Sequence, residues 1–251
     1  MICLASLEHE SWLEQPETRT SHLAHCMDVK LKVEAMTGQP CLVLRYWDVT
    51  PARLQALGIA VLLISGNATG WEHYEQDGLA GLQEVIRRAE LPILGFCGGL
   101  QLMAVTHGAT VAPMRRLRSG EPDVTDLSAP GYLKEWGFMP VDVGAADPVF
   151  GGLGASPVFL EAHHCEVKEI PPGFQVLASS KDCAIQALKQ NGKPVYGVQF
   201  HPESYTERSN DQRNPLVNLI YPNGYPRAEV AGRELIANFF RVAGVLDQNR
   251  G

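Results

Sequence analysis

Residues 92–104, PILGFCGGLQLMA, set one cysteine between an apolar run and a pair of glycines. The apolar run PILGF (92–96) reads as a buried strand, and LQLMA after the glycines reads as the start of a helix. Cys97 therefore stands at the joint, followed by Gly98 and Gly99. A cysteine that only fills a core needs no such neighbours, and most free cysteines are core fillers. A nucleophile does need them, because it must sit on a tight turn with nothing bulky beside the atom it attacks.

Outward from this joint, the first half of the chain alternates strand and helix patterns. ICLAS (2–6), CLVLRYW (41–47) and IAVLLIS (59–65) read as strands, the last apolar enough to be buried on both faces. SHLAHCMDVKLKVEAMTG (21–38) repeats Leu23, Met27, Leu31 and Met36 at helical spacing, with Ser21 as a cap and Gly38 as a stop. PARLQALG (51–58) and GLAGLQEVIRRAE (78–90) complete the helices of this half. Such alternation predicts an α/β fold with a mostly parallel central sheet flanked by helices. In sheets of this kind ligands sit beyond the carboxyl ends of the strands, where SGNATG (65–70) and CGG (97–99) would lie.

The second half is richer in strands: YLKEWGFMPVDV (132–143), VFLEAHHCEV (158–167), FQVLASS (174–180), AIQALKQ (184–190) and PVYGVQF (194–200). EVAGRELIANFFRVAGV (229–245) predicts a closing helix with Ala231, Leu235, Ile236, Phe239 and Phe240 on one face. Residues 204–228 are polar and broken by prolines, the pattern of an irregular loop insertion that serves as a lid or interaction surface. Without repeats or low-complexity linkers, residues 1–251 are expected to form a single domain.

Composition narrows the partners. The net charge of −7 comes without a basic run, so no footprint for nucleic acid or an anionic membrane is expected. No apolar run is long enough to span a bilayer, and the first residues lack the pattern of a secretory leader. The six cysteines are scattered, with no close pair of the kind found in zinc or redox motifs. Reduced thiols in a cytoplasmic protein fit this distribution.

A cysteine nucleophile needs a base, and the base needs an acceptor to orient it. YGVQFHPES (196–204) offers both at the end of an apolar strand. His201 and Glu203 would point to one side if strand geometry continued through them. If the strands ending at Cys97 and His201 are neighbours, the three side chains meet as a Cys–His–Glu triad.

The motifs themselves resemble a known family. GFCGGLQ (95–101) resembles the G-x-C-x-G-x-Q nucleophile elbow of class I (triad) glutamine amidotransferases, and GVQFHPES (197–204) resembles their His-Pro-Glu motif. The resemblance covers the chain from the strand at 59–65 to the closing helix, and more loosely the first 58 residues. It implies a flavodoxin-like α/β architecture and hydrolysis of the glutamine side-chain amide through a γ-glutamyl thioester. Cys97 would be the nucleophile, His201 the general base and then acid, and Glu203 the orienting carboxylate. Asn67 and Gly98 would supply the oxyanion-hole amides, with Asn67 standing where the family has a glycine. Gly66, Gln101 and His163 would bind substrate. EAHHCEVKEIPPGF (161–174) resembles the family's Ser-His-x-Asp segment, but Ala162 replaces its serine and Cys165 its acid. No cofactor or metal is implied. The resemblance leaves two enzymatic alternatives open: a glutaminase that delivers ammonia to a separate synthase or synthetase, and a free-standing hydrolase of γ-glutamyl amides or peptides. A regulatory binding module on a dead scaffold is disfavoured by the presence of all three triad residues.

Overall fold

The computed structural model describes residues 1–124, 129–205 and 231–247. In chain order its strands are β1 (Ile2–Ser6), β2 (Cys41–Arg45), β3 (Val61–Ile64), β4 (Ile93–Phe96), β5 (Val111–Pro113), β6 (Glu135–Pro140), β7 (Asp142–Val143), β8 (Val158–His163), β9 (Cys165–Val167), β10 (Phe174–Ser179), β11 (Ala187–Gln190) and β12 (Val195–Val198). The helices are α1 (Glu10–Glu14), α2 (Pro16–Thr37), α3 (Pro51–Ala56), α4 (Gln76–Arg88), α5 (Gly98–Thr106) and α6 (Gly232–Val242). The loop expected at 204–228 lies, from residue 206 onward, outside the described residues.

Eight strands form the central sheet in the order β2-β1-β3-β4-β12-β11-β10-β7. The first five are mutually parallel, in the 2-1-3-4-5 arrangement of flavodoxin-like sheets, and β11, β10 and β7 extend the sheet antiparallel. The strand-rich second half thus continues the sheet of the first half. Two antiparallel pairs, β5–β9 and β6–β8, lie outside it.

The core follows from strand alternation. Cys3, Ala5, Leu62 and Ile64 face one apolar cluster, with α3, α4 and α5 above them. Ile2, Leu4, Val61 and Leu63 face the other, with α2 and α6. Every residue of β1 and β3 is buried, as strands covered on both faces require.

Helix α2 departs from its sequence reading. It begins at Pro16, whose fixed φ suits a first turn, and so precedes the expected Ser21 cap. It ends, as read, at Gly38 in left-handed geometry (φ 66°). Its buried side is Cys26, Val29 and Val33, while Leu23, Met27 and Leu31 are more than half exposed at 56%, 51% and 56%. The side that meets the sheet carries short residues, and the long apolar ones occupy the neighbouring stripe. Helix α6 buries Leu235, Ile236, Phe239 and Phe240, as its periodicity predicts.

Helix α5 passes very close to the sheet. A Cβ on Gly99 would stand 2.6 Å from the Ile64 carbonyl oxygen, a backbone atom that cannot yield. Gly99→Ala is therefore expected to destabilise the fold by about 1–3 kcal/mol, the usual cost of overpacking. Phe239→Ala, in the centre of the α6 core, should cost about 3–5 kcal/mol, whereas Leu31→Ala should change stability by no more than about 0.5 kcal/mol. Urea denaturation of the three variants checks the order.

Candidate active site

Cys97 is the single residue between β4 and α5, with φ 47° and ψ −104°, a conformation that side chains bearing a Cβ rarely adopt. Its N–H donates to the Val198 carbonyl at 2.7 Å, and its own carbonyl accepts from Gln101 N–H as the first bond of α5. This fastens the end of β4 to the end of β12, where Phe96 and Val198 stand opposite each other. The sulfur thereby sits at the amino end of α5, where the helix dipole favours negative charge.

His201 follows β12 closely, and its N–H donates to Leu160 of β8 at 2.8 Å. The strand ends at Val198, and Pro202–Ser204 form a 3-10 turn. His201 and Glu203 are brought together by that turn, so the strand continuation considered from sequence does not hold. His201 Nδ1 lies 2.8 Å from Glu203 Oε1. Gly66, from the loop after β3, completes the enclosure: a Cβ there would be 3.2 Å from His201 Cε1 and 3.4 Å from Cys97 Cβ. The three triad candidates are buried and converge at the carboxyl end of the parallel strands.

The electrostatics follow from this enclosure. Burial alone would push the His201 imidazole down, but Glu203 and the Cys97 sulfur on its flanks outweigh that and raise it well above the ordinary value. Burial would raise Glu203, yet His201, with help from His25, brings its carboxyl down from 4.5 to about 2. The two shifts together favour an imidazolium facing a carboxylate.

The other sequence candidates are placed as follows. Asn67 N lies 3.2 Å from the Cβ position of Gly98, so the two peptide groups adjoin. Gln101 is buried and fully engaged: its Oε1 accepts from Trp71 Nε1 at 2.9 Å, and its Nε2 donates to the Cys165 carbonyl and to Gln199 Oε1, each at 3.2 Å. Gln199 Nε2 in turn donates to Cys97 Sγ at 3.4 Å. His163 is buried, with Nε2 2.9 Å from Glu135 Oε2 and 3.3 Å from Glu161 Oε2, and Nδ1 2.9 Å from the Cys165 carbonyl. The strand register that sets Glu135 opposite His163 makes the first contact. Burial would lower His163, but the two carboxylates raise it to about 10. Burial pushes the Cys165 thiol up to about 11, unlike a nucleophile's.

Among the described residues, Glu135, His163 and Cys183 bring donor atoms within 4.8 Å of one another, the spacing of a metal site. In the structure His163 Nε2 faces the carboxylates of Glu135 and Glu161, so two of these donors already engage each other.

Four residues beside the site escaped the sequence reading. Gln199 lies inside the quoted motif, and its place two residues before His201 is the one signal that could have found it. Trp71 reaches the site through Gln101. His25 projects from α2 to within 3.7 Å of Glu203 Oε1, and Lys32 on the same helix donates to the carbonyls of Glu203 (3.1 Å) and Tyr205 (2.8 Å). Neither contact has a local sequence signature.

Similarity to known proteins agrees with this architecture. The family model for glutamine amidotransferase class-I matches residues 42–216. The chain is 37% identical over 125 residues to a glutamine-hydrolysing GMP synthase subunit of Methanothermobacter thermautotrophicus, covering 50% of this chain and 58% of that one. It is 38% identical over 122 residues to the GMP synthase subunit of the same name from Pyrococcus abyssi, covering 48% and 56%. The matches thus span less than two thirds of these relatives' length. Among solved structures, a glutamine amidotransferase from Thermotoga maritima aligns with a TM-score of 0.63 at 14% identity, covering 97% of each chain. A glutamine amidotransferase from Methylobacillus flagellatus gives 0.63 at 18%, covering 100% of this chain and 96% of that one. Among the described residues no helix is long and apolar enough to cross a membrane.

The pair of shifts at His201 and Glu203 has a definite sign. Glu203 titrates lower in the folded chain than unfolded, so its contribution to stability is complete above about pH 4.5 and fades as pH falls toward 2. His201 titrates higher folded, so its contribution is complete below the ordinary imidazole value of 6.5 and is lost at higher pH. In Glu203→Gln the acid-side loss should flatten and the His201 titration should move down. Urea midpoints between pH 2 and 5, and the ring proton shift of His201 by NMR, report the two effects. With the fold, the Cys97 turn and the family match in agreement, this chain belongs to the class-I glutamine amidotransferases.

Proposed function

We propose that the protein hydrolyses the side-chain amide of glutamine, with Cys97 as nucleophile, His201 as base and acid, and Glu203 as the carboxylate that orients and charges the imidazole. The observation that carries this reading is the convergence of these three residues around a strained Cys97 turn. Sulfur attacks the amide carbon, the carbon–sulfur bond forms, and the carbonyl electron pair moves onto oxygen. The peptide N–H groups of Asn67 and Gly98 are the donors for that oxyanion, worth roughly 3–4 kcal/mol each in comparable sites. His201 protonates the nitrogen, ammonia leaves, and a γ-glutamyl thioester remains. Water, giving a proton to His201, then releases glutamate and restores the sulfur.

Gly66 and Gln101 frame the substrate pocket in this reading, Gln101 by holding Gln199 against the sulfur. The ring of His163 is engaged by carboxylates, so its segment would meet substrate through the backbone around 162–165. The ammonia is proposed to serve a separate synthase partner, as the name of the GMP synthase relatives suggests for them. All six cysteines are free, which supports a reducing, cytoplasmic setting.

The test is turnover of glutamine against a panel of γ-glutamyl amides and peptides, with ammonia and glutamate both measured. A chloroketone analogue of glutamine should label Cys97 once per chain and leave Cys165 untouched. Cys97→Ala should lose roughly 10⁴-fold or more in kcat, His201→Ala nearly as much, and Glu203→Gln less. Full activity in Cys97→Ala would end the assignment. Efficient cleavage of γ-glutamyl peptides with glutamine left intact would favour the free-standing hydrolase.

A further inference from the structure

We infer that Glu8, working with Ser65, is the positioning device that builds the oxyanion hole inside this chain. The inference rests on the reading of Asn67 N–H as an oxyanion donor. Glu8 follows β1 and is almost fully buried, at 3% exposure. Its carboxylate receives four donors: Oε2 accepts from Ala68 N at 2.7 Å, and Oε1 accepts from Thr69 N at 3.1 Å, Thr69 Oγ1 at 2.6 Å and His9 N at 3.0 Å. Three of these come from the two residues directly after Asn67. A buried carboxylate so surrounded fixes the loop far more tightly than a single neutral bond would.

Ser65 fixes the other side of Asn67. Its Oγ accepts from Leu7 N at 2.9 Å and donates to the Gly66 carbonyl at 2.8 Å. The Gly66 carbonyl and the Asn67 N–H belong to one planar trans peptide, so they point in opposite directions. Holding the carbonyl toward Ser65 therefore turns the N–H away from it. Asn67 Nδ2 donates to the Thr69 carbonyl at 2.7 Å, which closes the turn over itself. The donor peptide is thus clamped before and after by groups at the end of β1, and Asn67 needs no glycine-like freedom to hold its place.

Glu8 touches none of the triad residues, so it acts through the loop and at the oxyanion. Glu8→Gln keeps the size but sets an amide NH2 or a lone acceptor where two oxygens met four donors. Relative to wild type it should lower kcat for glutamine about 10- to 100-fold, since misplacing one oxyanion donor has effects of that order. KM should stay within about twofold, because the loss falls on the transition state. Alkylation of Cys97 by iodoacetamide develops no oxyanion, so its rate should be unchanged. Thr69→Val, which removes only the Oγ1 contact, should fold normally and lose about 3- to 10-fold in kcat, a smaller share of the same effect. Wild-type kcat in Glu8→Gln overturns the inference. So does a parallel loss of alkylation, which would mean general disruption of the site. If Glu8→Gln does not fold, Thr69→Val decides, and an unchanged kcat there overturns it. A wild-type chain that hydrolyses no glutamine sinks the parent reading and this inference together, whereas an active wild type with an indifferent Glu8→Gln sinks only this one.

Discussion

The site depends on a one-residue passage from β4 into α5. Cys97 cannot relax into the helix, because its N–H is held by Val198 at the end of the adjacent strand. It cannot continue the strand either, because Gly98 already begins α5. The remaining solution is a positive φ on a residue with a Cβ, a conformation that costs about 1–3 kcal/mol and survives only where the surroundings fix it. Gly99 lets α5 cross β3 close enough for this to happen. The same Val198 bond sets the place of His201, which follows it on the neighbouring strand's extension. Cys97 and His201 are therefore positioned by two backbone contacts, Cys97 on Val198 and His201 on Leu160.

Most of this passage was legible in the sequence, because its signals are local. A buried strand, a cysteine and two glycines lie within a few residues, and the His-Pro-Glu motif follows another apolar strand. That β1 to β4 are parallel was legible for the same reason, as continuous apolar runs alternate with amphipathic ones, whereas their order in the sheet was not. The face of α2 was not. Leu23, Met27 and Leu31 carry the stronger apolar repeat, but the side chosen for burial is the one whose short residues can approach the sheet. Nor could spacing reveal that a 3-10 turn, rather than a strand, joins His201 to Glu203. Polar residues such as Glu8 and His25 gain meaning only from partners far away in the chain, so no window of sequence displays it.

Long-range polar contacts also explain why the two halves of the chain make one site. The first half brings Cys97, the loop at 65–71 and helix α2. The second brings His201, Glu203 and Gln199. Two sets of polar contacts cross between them: the hydrogen bonds from Trp71 to Gln101 to Gln199 to Cys97, and the contacts of His25 (3.7 Å) and Lys32 onto the Glu203 turn. Such networks constrain geometry more than they stabilise, since each buried polar group must first lose its water.

Buried charge sets the final constraint. Two imidazoles sit in this interior, each against carboxylates: His201 with Glu203, and His163 with Glu135 and Glu161. The backbone bond from His201 to Leu160 ties the His201–Glu203 turn to the very strand that carries Glu161 and His163. Replacing a buried pair by apolar groups can be neutral, but removing one partner strands the other charge and costs about 3–5 kcal/mol. Each proton is therefore held where it lies until a competing base arrives. At His163 these contacts join Glu135 of β6 to Glu161 and His163 of β8. In the proposed reaction the nitrogen of the departing amide at His201 would be such a base, and Glu203 would hold the ring before and after the transfer. One arrangement of acid and imidazole thus occurs twice, and at His201 it adjoins the Cys97 sulfur, which is what fits that pair to the proposed acid–base role.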